Sequence, residues 1–217
     1  SGQVLTSNGA GAAPTFQAAA GGGDGTLEFS TVYNNWGSSR PAGWIEETAS
    51  GASVTYDTSL ALVSGTTANG RVQVGFFMRL AYGRYRFVMS NSAADGNCTS
   101  KIGIGEFEGG TNTYAVQPQN VACWRFAGDP AEHGLTTLNG TSTQSADAGT
   151  DQTVSGDWDI IWEVDQCEFL FDNVSKATNS TNLPDPNVPI SFFAAQGNHS
   201  SGPSSSRTVT ITEISVQ

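Results

Sequence analysis

From residue 27 to the C-terminus, apolar and polar residues alternate in short runs separated by turn-forming residues. Alternation with a period of two is the mark of a half-buried β-strand. It predicts strands in LEFSTV, ASVTYD, LALVS, GRVQVGFFMRL, YGRYRFVMS, KIGIGEFEGG, YAVQPQNVACWRF, DWDIIWEV, CEFLFDN, PISFFAAQ and RTVTITEISV. GRVQVGFFMRL sets Val72, Val74 and Phe76 against Arg71, Gln73 and Gly75, then turns apolar on both faces, as in a strand entering a core. In the last run the apolar parity shifts between Ile211 and Ile214, which predicts a β-bulge. No long run keeps a clean helical period. About a dozen strands without a crossover helix imply antiparallel layers, hence an all-β, two-sheet sandwich closed by its terminal strand.

Residues 1–25 break this pattern. They are dominated by Gly and Ala, carry almost no charge, and hold too few apolar residues (Val4, Leu5, Phe16) for a core. They are expected to form an extended N-terminal linker or docking arm, with residues 26–217 as the sandwich domain.

Composition sharpens this picture. The 26 glycines and only 13% charged residues suit short strands and tight turns. A net charge of −11 with nine Lys and Arg repels phosphate backbones, so no nucleic-acid partner is expected. No apolar run approaches membrane-spanning length, so no membrane partner is expected either. The first residue is Ser and no signal peptide is visible, which predicts a processed chain or a segment of a longer one. Of the three cysteines at least one is unpaired. Cys98 and Cys123 fall on segments that could be neighbouring strands and could be bridged, whereas Cys167 reads as a buried thiol. Two His and dispersed Cys give no zinc spacing.

The arm also carries a motif. Gly2, Val4, Leu5, Ser7 to Gly9, Gly11, Pro14 and Phe16 match the G-x-V-L-x-S-N-G-x-G-x-x-P-x-F/W pattern that precedes the distal domain of tailed-phage fibre proteins. The resemblance implies a virion-surface, extracellular location, docking to other virion proteins through residues 1–25, and assembly as a homotrimer. In a bacterial virus the sequons at Asn97, Asn139, Asn173, Asn179 and Asn198 would stay bare.

The body resembles the family 16 glycoside hydrolases, the laminarinase and lichenase group, in the order of four segments. NGRVQVGFFMRLAYGRYRFVMSNSAADG is similar to the family's G-x-x-x-x-x-M-K strand and the one after it. KIGIGEFEGGTNTYAVQPQNV is similar to the catalytic strand, its turn and the Q-x-N strand. DWDIIWEVDQCEFLFDN matches the W-x-x-x-x-I-x-F/W-Y-V-D-G pair, and LPDPNVPISFFAAQGN the later cleft strand. This implies a concanavalin A-like lectin/glucanase jelly roll and a glycan or polysaccharide partner.

The catalytic strand departs from the family pattern E-x-D-x-E or E-x-D-x-x-E. Retaining hydrolysis needs two carboxyl groups on one face of the sugar, and alternate side chains of a strand supply them. Here only Glu106 fits, in the acid/base place. The nucleophile place holds Ile102 or Lys101, and the Asp place holds Ile104 or Gly103, depending on a bulge. Glu108 could share the face of Glu106, out of the family's register. Glu163, Asp165 and Glu168 spell the bulged pattern, but they fit the turn between two structural strands and are set aside. The expectation is a binding domain that has lost its nucleophile, with an active depolymerase and a purely structural capsid or fibre protein as alternatives.

For carbohydrate contact the resemblance points to Asn120, the Asn of Q-x-N, flanked by Gln117 or Gln119, together with Glu106. Aromatic platforms are sought outside the obvious core strands, because sugar C–H faces stack on rings. Trp36 is preferred, with Tyr114 and Trp124 next and Tyr33 and Trp44 as further candidates. Trp158 and Trp162 read as structural, and His133 as a loop histidine. Ala194 or Ala195 replaces the family's cleft Trp. No cofactor or metal is expected. Relatives often carry a structural calcium, but no run has EF-hand spacing.

Overall fold

The computed structural model describes residues 3–6, 15–18, 30–34, 36–76, 79–92, 97–106, 120–126, 134–145 and 155–217. Seventeen strands lie among them: β1 Gln3–Thr6, β2 Thr15–Ala18, β3 Ser30–Tyr33, β4 Trp44–Ala49, β5 Ser53–Tyr56, β6 Leu60–Val63, β7 Arg71–Phe76, β8 Gly83–Asn91, β9 Cys98–Gly105, β10 Asn120–Phe126, β11 Gly134–Leu138, β12 Thr141–Ser145, β13 Gly156–Trp162, β14 Cys167–Phe171, β15 Val174–Asn179, β16 Ser191–Asn198 and β17 Thr208–Val216. No helix occurs among the described residues. All the strand pairs are antiparallel, as the short turns between alternating runs require.

Two sheets make the sandwich. The seven-stranded sheet runs β12-β11-β10-β9-β16-β7-β4, which puts β9 at its centre. The other runs β15-β14-β13-β8-β17-β6-β5, and β3 adds to it through β17. In the arm, β1 and β2 pair with each other, Gln3 opposite Ala18 and Thr6 opposite Thr15, rather than lying singly extended.

The core lies where the two inner faces meet. Val72, Val74, Ile102, Ile104, Ala122, Trp124, Phe192 and Ala194 come from the seven-stranded sheet. Tyr85, Phe87, Met89, Trp158, Ile160, Trp162, Phe169 and Ile214 come from its partner. Trp124 ties the layers together. Its indole N–H donates to the Asp159 carbonyl at 3.1 Å, and its ring meets Trp158 and Phe169 edge-on at 4.9 and 5.5 Å. Such aromatic pairs are worth about 0.5–1.5 kcal/mol each beyond the area they bury.

The predicted bulge is present. The register of β17 on β8 shifts between Ile211 and Glu213, and the residue passed over, Thr212, accepts the Trp36 indole N–H at 3.0 Å. Besides the two strands of the arm, four strands of the sandwich, β4, β11, β12 and β15, escaped the alternation reading. β11 and β12 meet at Asn139-Gly140, both at positive φ (49° and 79°), a two-residue turn of the hairpin-favouring kind. β14 and β15 meet at Asp172-Asn173 with φ of 48° and 64° in the same way. β4 is an edge strand whose charged positions blur the pattern.

The three cysteines are buried thiols, none of them in a disulfide. A Cys98–Cys123 bridge is ruled out by geometry. Cys98 pairs with Asn198 at the start of β9 while Cys123 lies opposite Gly103, and the two side chains leave the sheet on opposite faces.

Candidate functional site

Register decides what the central strand offers to each face. Ile102 and Ile104 point into the core, so Lys101, Gly103 and Gly105 lie on the outer face of the seven-stranded sheet. Residues paired across neighbouring strands share a face, which defines rows across it. One row runs Glu47, Gln73, Ala195, Lys101, Arg125. The next runs Ile45, Gly75, Phe193, Gly103, Cys123, Leu135, Gln144. Gln73 donates to Glu47 at 2.6 Å at one end, and Arg125 donates to Gln144 at 3.1 Å at the other. Among the described residues, Glu47 is the carboxylate of the polar row.

This register settles the open choice at the catalytic-like strand. Lys101, not Ile102, holds the nucleophile-like place on the outer face, and Gly103, not Ile104, holds the Asp-like place. Gly103 is there because nothing larger fits. A Cβ on it would come within 2.3 Å of the Ala122 carbonyl oxygen and 2.6 Å of the Cys123 Cα. At Gly105 a Cβ would lie 2.8 Å from a Val121 methyl.

Glu106 and Asn120, both named above for carbohydrate contact, are hydrogen-bonded to each other, but not on this face. The Glu106 N–H donates to the Asn120 carbonyl at 2.8 Å, continuing the β9–β10 ladder without a bulge. The Asn120 amide then donates to the Glu106 carboxylate at 2.7 Å. Both side chains share the parity of Ile104 and Ala122, so the pair sits at the strand ends on the sandwich-interior side. The Asn120 Oδ1 is buried with no hydrogen-bond partner.

Two aromatic candidates are corrected. Trp124 is 0% exposed between the sheets, and Trp36 is 1% exposed, its ring 4.5 Å from Tyr33 and 5.2 Å from Trp44. Neither ring has a free face for a sugar, because each fills the core and spends its N–H on a backbone carbonyl. Trp44 is likewise buried, stacked on Phe76. Trp158 and Trp162 are core residues, as expected. Tyr114, Glu108, Gln117, Gln119 and His133 lie outside the described residues. An exposed aromatic side chain missed in the sequence is Tyr82, 44% accessible with its inner edge against Trp162. Its place beside a Gly that opens a strand was the available signal.

Glu163 to Gln166 form the turn between β13 and β14. The Glu163 N–H donates to the Gln166 carbonyl at 2.9 Å, and Glu163 and Asp165 are exposed while Glu168 lies half-buried on β14. These acids belong to a hairpin of the eight-stranded sheet, not to the central strand of its partner.

Much of the outer face is itself covered. Val121, Cys123, Leu135, Phe193 and Ala195 form a second buried cluster there, and Lys101 is 5% exposed. Burial pushes the Cys123 thiol up to about 12 and holds the Lys101 ammonium below its usual value, with the adjacent Arg125 charge adding to the second effect. The accessible ends of the face are Arg71, exposed on β7, Arg125 and Gln144. Among the described residues no group of three or more His, Cys, Asp or Glu is placed to hold a metal ion.

No family model and no curated protein matches the chain. Solved structures do. A Bacillus licheniformis β-glucanase aligns over 86% of this chain and 97% of its own with a TM-score of 0.61 and 15% identity. The catalytic domain of an endo-1,3-β-glucanase (laminarinase) from Thermotoga petrophila aligns over 88% and 98% with a TM-score of 0.57 and 11% identity. The Emp46p carbohydrate recognition domain, in its potassium-bound form, aligns over 86% and 95% with a TM-score of 0.59 and 10% identity. The chain therefore has the concanavalin-like jelly roll shared by family 16 glucanases and lectin-type recognition domains.

Proposed function

We propose that this chain is a non-catalytic glycan-binding domain of a virion appendage, with its N-terminal arm docking to other virion proteins and its sandwich meeting polysaccharide on a host surface. The observation that carries the binding reading is the outer row of the seven-stranded sheet. On a fold shared with glucanases and a carbohydrate recognition domain, this row holds Glu47, Gln73, Lys101 and Arg125, and the next outer positions of the central strand are Gly103 and Gly105. Such groups hydrogen-bond sugar hydroxyls. They do not form the carboxylate pair that retaining hydrolysis needs, and Glu106 is turned to the other side and held by Asn120. The appendage reading rests on the fibre-like motif of residues 1–25.

Isothermal titration against laminarin, lichenan and host-surface polysaccharides tests the binding reading. Saturable binding without release of reducing sugar is expected. Silence across the panel overturns it, and turnover that disappears in Glu106→Gln would install a depolymerase in its place.

A second reading has its own observation. The middle of the outer face is closed, with Val121, Cys123, Leu135, Phe193 and Ala195 at 0–3% exposure, as in a scaffold domain. A purely structural fibre or decoration protein would assemble into particles normally and bind no glycan.

A further inference from the structure

Sugars stack on aromatic rings, and this fold hides most of its rings. All five tryptophans are buried in the core. Among the described residues the exposed aromatic ring is that of Tyr82, in the segment that enters β8 at one end of the sandwich. Its surroundings hold it in place. The Leu80 N–H donates to the Ile190 carbonyl at 3.0 Å, the Tyr85 hydroxyl donates to the Ala81 carbonyl, and the Tyr82 ring meets Trp162 edge-on at 4.9 Å. A ring anchored in this way loses little freedom when a ligand lies on it.

The sheet supplies polar neighbours. Gly83 lies opposite Trp162, so Tyr82 is flanked by Glu163, the first residue of the β13–β14 turn. The Glu163 N–H donates to the Gln166 carbonyl at 2.9 Å, and the Gln166 side-chain amide donates to the Glu163 carboxylate at 2.8 Å. That second bond orients an exposed carboxylate and leaves it lone pairs for further donors. Val164, in the same turn, is also exposed.

We propose that Tyr82, Glu163 and Gln166 form a saccharide site at this end of the sandwich, and that it takes a neutral hexopyranose. The C–H face of the sugar lies on the Tyr82 ring, and its hydroxyls bond to the Glu163 carboxylate and the Gln166 amide. This extends the glycan-binding reading to a second place on the molecule and rests on it. An acidic sugar is opposed by charge. Glu163 and Asp165 are exposed here against Arg79, and the whole chain carries −11.

The test is titration of the full chain with laminarin, lichenan, a neutral galactan and polygalacturonate, at low and high ionic strength. Saturable binding of at least one neutral polymer, little changed by salt, is expected. Tyr82→Ala should weaken it about tenfold, while Tyr82→Phe, which keeps the ring, should stay within about twofold. Glu163→Gln should also weaken it about tenfold, through loss of a charge-assisted hydrogen bond. Val174→Ala removes an exposed apolar side chain at the opposite end of β14 and should change nothing. If circular dichroism shows that Tyr82→Ala does not fold, Glu163→Gln in the exposed turn decides the comparison. Neutral-polymer binding untouched by the deciding variant overturns this site and leaves glycan binding standing. Preference for polygalacturonate overturns the neutral class. Silence from all four polymers sinks both the site and the glycan-binding reading.

Discussion

The two outer faces of the sandwich use arginine in opposite ways. On the eight-stranded sheet, Asp159 is 0% exposed and accepts from both Arg84 and Arg86, at 2.8 and 2.9 Å in the case of Arg86. Asp157 pairs with Arg86 at 2.8 Å, and the side-chain Oδ1 of Asn173 in the β14–β15 turn accepts from both guanidiniums at 2.6 and 2.8 Å. On the seven-stranded sheet, Arg125 is set beside another cation and donates to a neutral amide. The same residue type thus locks a turn and two strands together on one side, and on the other builds a positive field beside a covered floor. A cation matched by a buried carboxylate is part of the scaffold, and Asp159 makes both Arg84 and Arg86 such cations.

The largest effect should come from breaking the matched side. Asp159→Ala leaves two guanidiniums around a buried void, and its unfolding free energy should fall by about 3–5 kcal/mol, read as the urea midpoint by circular dichroism. A loss below 1 kcal/mol would remove the scaffold half of the contrast. Next is the floor of the other face. Gly103→Ala forces a methyl against the Ala122 carbonyl, and a loss of about 1–3 kcal/mol or more is expected; neutrality would mean that β9 and β10 can separate and that an acid could occupy the Asp-like place.

Alkali probes the same covering. The Cys123 and Cys167 thiols are both pushed up to about 12 by burial. A raised folded-state value means that their contribution is whole below the ordinary thiol value of 9.0 and is lost as pH climbs from there toward 12. Between pH 9 and 10 each thiol should cost about 1 kcal/mol, so the urea midpoint should drop over that unit and the drop should shrink in Cys123→Ser. An unchanged midpoint would mean that the floor is open to solvent. The smallest stability change is expected from Arg125→Ala, within about 1 kcal/mol, because its guanidinium donates to the exposed Gln144 amide at the rim of the face. A large loss there would make both faces scaffold and erase the difference.

How far the sequence could be read differed between elements. Strands β7, β8, β13, β14, β16 and β17 were legible because their apolar residues keep a period of two, and the bulge at Thr212 was legible because that period slips by one. β11, β12 and β15 were not, since threonine, serine and asparagine fill them; the Asn139-Gly140 step was the overlooked sign. In the candidate site, Glu106 and Asn120 were singled out separately from the motifs, but neither their mutual hydrogen bond nor its side of the sheet was legible. A bulged and an unbulged β9 are written with the same letters, and they send Glu106 to opposite faces. Trp36 and Trp124 misled for a related reason: a tryptophan in a polar-looking segment can still be drawn into the core when a carbonyl of another strand is there to take its N–H.

By itself the order of residues determined the class of fold, the turn at Glu163 to Gln166 and the poverty of acids along KIGIGEFEGG, because alternation, turn chemistry and composition are local properties. Only the tertiary structure decided which face each residue joins, since pairing across β9, β10, β16 and β7 joins residues as far apart in the chain as Arg71 and Gly197. That pairing set Lys101 beside Arg125, closed the space at Gly103 and turned Glu106 inward, and no stretch of the chain carries those three facts alone.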